Sequence, residues 1–84
     1  IAVSGFGGHK QKIDRRLGII AAQHGVAKRK EFHGTVASIE TRDFFRPPEE
    51  SPSRQGYHWN SNAETYFLIG DGMAKAMIRL LETK

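Results

Sequence analysis

One histidine stands in a setting that could support proton transfer. It is His58, in the run Gln55-Gly56-Tyr57-His58-Trp59-Asn60-Ser61-Asn62-Ala63-Glu64-Thr65. An imidazole titrates near pH ~6.5, so it can take a proton from a hydroxyl nucleophile and return it to a leaving group. Tyr57 and Trp59 flank it, and aromatic faces of this kind bind sugars or partner proteins. The other reading of His58 is a surface or capping histidine at a helix entrance. A nucleophile is harder to identify. Ser4 precedes a glycine turn but lacks the Gly-x-Ser-x-Gly elbow. Ser38 falls in an apolar run, Ser51 and Ser53 in a Pro-rich segment, and Ser61 at a helix start. His9, His24 and His33 have no metal-ligand spacing, and no cysteine supports them, so no metal is expected. His24 reads as a half-buried packing residue, and His9 and His33 as solvated.

The elements that must hold these residues are few. Ile1-Ala2-Val3-Ser4 reads as a buried strand closed by the glycine turn Gly5-Phe6-Gly7-Gly8. That turn lacks the spacing of a dinucleotide or phosphate loop, because position 10 is Lys10, and no cofactor is expected. A helix is expected from Gln11 to about Ala27, with Ile13, Leu17, Ile20 and His24 on one stripe. Thr35 to Ile39 is β-branched at three of five positions and reads as a second strand. Residues 46–53 hold three prolines and form a long surface loop. Ser61 and Glu64 have the spacing of a capping box. They open a second helix carrying Tyr66, Ile69, Met73, Met77 and Leu80. The order strand, helix, strand, loop, helix implies an α/β fold with a parallel sheet. Two strands are too few for such a sheet, so further polypeptide or another subunit is expected to complete it.

Size and charge narrow the classes. With 84 residues the chain is one small unit, 1–84. It is 38% hydrophobic and 26% charged, ordinary values for a soluble globular protein. The absence of cysteine removes disulfides and leaves the compartment open. No apolar run is long enough for a membrane span. The net charge of +4 centres on Lys28-Arg29-Lys30 and on Lys10, Lys12, Arg15 and Arg16. Nucleic-acid binding is one reading of those residues, and a solvated helix face is the other.

From about Gly5 onward the chain resembles the C-terminal part of SGNH-type carbohydrate esterases, the sialate O-acetylesterase and acetylxylan esterase-like group. Ser4-Gly5-Phe6-Gly7-Gly8, Arg16 through Gln23, Ile39 through Phe44, Gly56 through Asn60 and Asn62 through Met73 carry the resemblance. It implies a flavodoxin-like three-layer α/β/α sandwich, β-α-β-loop-α being its C-terminal portion. It also implies removal of O-acetyl groups from carbohydrate by a serine nucleophile and a histidine base. By resemblance His58 is that general base, and Tyr57, Trp59 and Asn60 contact substrate. The family's serine block, near the start of its domain, has no counterpart here, so the isolated chain is expected to lack esterase activity. Many members keep an acid two or three positions before the histidine. Those positions are Gly56 and Gln55 here, so either another carboxylate orients the base, with Glu40 and Asp43 as the candidates near the strand end, or the base works without one. The alternative function is a non-catalytic module that binds carbohydrate or a protein through the Tyr57/Trp59 loop.

Overall fold

The computed structural model describes residues 1–82. Two helices dominate, α1 (Asp14–Ala27) and α2 (Ala63–Glu82). Short 3-10 turns at Gly8–Lys10, Lys30–Phe32, Arg42–Phe44 and Pro48–Glu50, and a left-handed turn at His58–Ser61, connect the rest. The molecule is a slab, 42 × 27 × 14 Å. Among the described residues no helix is long and apolar enough to cross a membrane.

The expected α/β sandwich is corrected by this architecture. Among the described residues there is no strand and no sheet; Ala2 and Ile39 form a single parallel bridge. The two segments expected as strands, Ile1–Ser4 and Thr35–Ile39, do run side by side. The Ile39 N–H donates to the Ile1 carbonyl at 2.8 Å, and the Val3 N–H to the Ile39 carbonyl at 3.2 Å. On the opposite edge of the first segment, α1 takes the backbone donor that a third segment would need. The Ser4 N–H donates to Gln23 Oε1 at 2.7 Å, and the Ser38 hydroxyl donates to the Gln23 carbonyl at 2.5 Å. Thr41, fully buried, closes the other end by donating its hydroxyl to the Val3 carbonyl at 2.8 Å. Side chains thus satisfy groups that neighbouring strands would pair in a sheet, and two segments without neighbours bury too little to extend further.

Both helices start later than their sequence cues suggest. α1 begins at Asp14, so Lys10 and Lys12 lie before it. At α2 the cap is Asn62, whose Oδ1 accepts the Thr65 N–H at 3.0 Å. Ser61 instead has positive φ, and Glu64 turns to Arg46 at 2.6 Å. The expected Ser61–Glu64 capping box is therefore absent. Asn and Ser cap about equally well, and the turn before α2 decides which of them reaches the helix amides.

The interior is small. Val3, Ile20 and Ala76 are its buried hydrophobic residues, joined by buried Thr41, Asn60, Asn62 and Thr65. Gly72 lets α2 lie close over the bridge, since a Cβ there would meet Ile39 Cδ1 at 3.0 Å. The Arg42–Phe44 turn packs between the Gly8–Lys10 turn and α2. The Thr65 hydroxyl ties α2 to the Phe44 carbonyl at 2.7 Å.

Candidate functional site

His58 sits on an uncommon piece of backbone. His58, Trp59, Asn60 and Ser61 have φ of 52°, 52°, 54° and 56°, a complete left-handed turn built without glycine. Each such residue costs about 1 kcal/mol for an L-amino acid. The turn persists because its surroundings hold it. The Asn60 N–H donates to the Tyr57 carbonyl (3.1 Å), and the Asn62 N–H to the Trp59 carbonyl (3.0 Å). The Ser53 N–H donates to the Asn60 carbonyl (3.1 Å), joining the turn to the Pro-rich loop. The Asn60 side chain accepts from the Gly56 N–H and donates to the Arg46 carbonyl, both at 3.3 Å. From α2, the Tyr66 hydroxyl donates to the His58 carbonyl at 3.1 Å. Strain sustained by this many contacts is characteristic of sites where side-chain direction matters.

The turn forms one wall of a cleft. Ser4, Phe6, Arg16, Ile19, Gly56, Tyr57, His58 and Trp59 line a volume of about 310 Å³. That is at the lower end of small-ligand sites. Phe6 packs edge-on against Trp59 at 5.8 Å and against Phe45 at 5.3 Å, which fixes the indole. The Tyr57 ring stands edge-on to the His58 ring at 4.7 Å. The cleft also meets the end of the first extended segment, since Ser4 contributes to its wall.

The residues singled out from sequence divide into those at the cleft and those away from it. Tyr57, His58 and Trp59 share it. Asn60 is 1% exposed, and its amide groups bond to the loop, so it supports the turn from within. The two acid candidates lie elsewhere. Asp43 meets His9 Nε2 at 2.6 Å. Glu40 binds the Arg42 guanidinium and lies 3.4 Å from His24 Nε2. Among the described residues no carboxylate is within ion-pair distance of His58. Its imidazole is placed by the backbone turn and the Tyr57 ring.

Arg16 is the cleft residue that sequence reasoning missed. It reads as part of a solvated basic face, yet it brings a fixed positive charge to the lining of the cleft. Ile19, one turn further along α1, accompanies it. The available signal was their spacing at i and i+3, which places both on one face of α1 away from the expected core stripe.

The Glu40–Arg42 pair has a pH signature. The Arg42 guanidinium bonds the carboxylate and lowers its pKa from 4.5 to about 2, against a partial desolvation that opposes the shift. A depressed folded-state pKa stabilises the fold above the unfolded value, and that stabilisation disappears as pH falls through the folded value. Thermal unfolding between pH 5 and pH 2 is expected to show it, with a loss of roughly 1 kcal/mol, reduced by solvent around the pair. In Glu40→Gln this component should vanish. An unchanged pH slope in that variant would show that the pair contributes nothing.

No protein-family model matches the chain, and no curated protein or solved structure matches it.

Proposed function

We propose that these residues form the histidine-bearing part of a serine esterase that removes O-acetyl groups from carbohydrate. The observation that carries this reading is His58, fixed on a left-handed turn in the wall of an aromatic cleft of small-ligand size. The resemblance of Gly56 through Asn60 and of Asn62 through Met73 to carbohydrate esterases supports the same chemistry.

In this mechanism the serine comes from polypeptide outside these residues or from another subunit. His58 removes the hydroxyl proton as the serine oxygen attacks the acetyl carbonyl. The resulting imidazolium protonates the sugar oxygen as the carbon–oxygen bond breaks, leaving an acetyl-enzyme. Water enters, His58 takes its proton, and acetate leaves as that proton returns to the serine oxygen. Glu40 and Asp43 have no part in this sequence, since each is committed to another cation or histidine. The chain of supports running through Asn60 and Tyr66 does the orienting instead.

Trp59 is the single tryptophan of the chain, so its fluorescence reports on the cleft directly. Titration with O-acetylated xylose is expected to change the emission saturably, with a Kd of about 1–10 mM. Deacetylated xylose should bind at least roughly threefold more weakly, because the acetyl group fills apolar space beside Ile19 and Phe6. No response to either sugar would remove the carbohydrate reading. Equal responses would favour the alternative, a non-catalytic sugar-binding module, for which the absence of a carboxylate beside His58 is the favouring observation.

A further inference from the structure

α2 is apolar on too much of its circumference for a surface helix. One face packs on the chain through Thr65, Ile69, Gly72 and Ala76. Ala63, Phe67, Gly70, Ala74, Met77 and Leu81 are all exposed, and they follow one another at alternating spacings of four and three. That is the spacing of a helix–helix seam. Tyr66, Met73 and Ile78 widen the stripe, which then covers about 140° of the helix at ~100° per residue. Charged residues are confined to the remaining sector between the two apolar faces. A helix apolar nearly all round is one that is buried.

We infer that this face of α2 is the interface with a second copy of the same chain. Its area decides the occupant. Phe67, Leu81, Met77, Ile78, Tyr66 and Met73 are each between 46% and 72% exposed. At ~200 Å² for a whole large side chain, they offer on the order of 700 Å², close to the ~800 Å² that each partner buries in a standard stable interface. The seam also matches itself. A two-fold axis between Gly70 and Ala74 of the two copies, level with residue 72, runs the helices antiparallel, so that their dipoles oppose. Phe67 then meets Met77 of the second copy, Gly70 meets its Ala74, and Ala63 meets its Leu81. Gly70 and Ala74 at the centre allow the backbones to approach to about 8 Å. Gly70 has open space around it within its own chain, so its smallness has no use there. A slab 14 Å thick, with three buried hydrophobic residues among the described ones, gains a second layer this way.

Sedimentation equilibrium on the 84-residue chain tests this. The expected result is a monomer–dimer equilibrium of 9.4 kDa chains, with a Kd below roughly 100 μM. Phe67→Glu should weaken it at least tenfold. Gly70→Leu should weaken it as much while raising helix content by circular dichroism, since leucine favours helix and meets nothing in the monomer. A monomer at roughly 100 μM, polydisperse aggregates, or a dimer indifferent to both substitutions would overturn the inference. So would a monomer whose α2 face takes up a different polypeptide. The result is independent of the acetyl chemistry, which the sugar titration tests separately.

Discussion

Gly5→Ala is expected to destabilise the chain by about 2–3 kcal/mol, and Gly18→Ala to stabilise it by about 0.5–1 kcal/mol. The two changes add the same methyl group. At Gly5 the new Cβ would lie 2.3 Å from Thr41 Oγ1, 3.0 Å from the Arg42 amide nitrogen and 3.1 Å from Arg42 Cγ. Two of these neighbours cannot move freely. Thr41 is fully buried, and its hydroxyl closes the short ladder on the Val3 carbonyl. The amide belongs to the Arg42–Phe44 turn that supports α2. The methyl must therefore break the Thr41–Val3 bond or separate the two extended segments. Gly18 lies exposed on α1 with nothing within 4 Å, so there the methyl only favours the helix. Urea unfolding followed by circular dichroism measures both. A Gly5→Ala chain as stable as the parent would mean that Ile1–Gly5 is not seated against Thr41.

The sequence shows the helices of this fold more clearly than the pairing of its extended parts. The 3.6-residue stripes of Leu17–Ile20–His24 and of Tyr66–Ile69–Met73 mark α1 and α2 to within a few residues, because helical hydrogen bonds are local. The β-branched run at Thr35–Ile39 marks extended chain equally well. It does not say how many neighbours that chain will have. A strand is defined by its partners, and the Gln23 side chain occupies the Ser4 N–H that a third segment would pair. Capping failed at Ser61 for a related reason. Ser-x-x-Glu is a valid local pattern, but the left-handed turn over His58–Ser61 moves the cap to Asn62.

The cleft was half legible. Tyr57, His58 and Trp59 are contiguous, so a chemical reading of one loop places them together. Arg16 and Ser4 reach the same cleft by tertiary packing across more than forty positions, and no spacing rule spans that distance. Asn60 reads as polar and available, yet its amide is the turn's internal brace. The left-handed run itself has only a weak signature: histidine and asparagine are enriched at positive φ, but tryptophan and serine are not, and the surrounding bonds impose the conformation on all four.

His58→Ala, made in the complete reading frame that encodes these residues, is expected to lower kcat for acetyl release by about a thousandfold or more while leaving KM within roughly threefold. In the proposed mechanism the imidazole carries a proton in both half-reactions, so each slows when it is lost. The substrate contacts proposed for Tyr57 and Trp59 remain, which keeps binding close to its original strength. Trp59→Phe should show the converse, with KM raised by roughly three- to tenfold and kcat nearly unchanged. The decisive measurement is acetate release from O-acetylated xylo-oligosaccharide by that protein, with and without the His58 ring. Turnover in the parent that collapses in His58→Ala is the expected result. Turnover that survives the substitution at the parent's kcat would contradict the assignment of this histidine as the proton carrier.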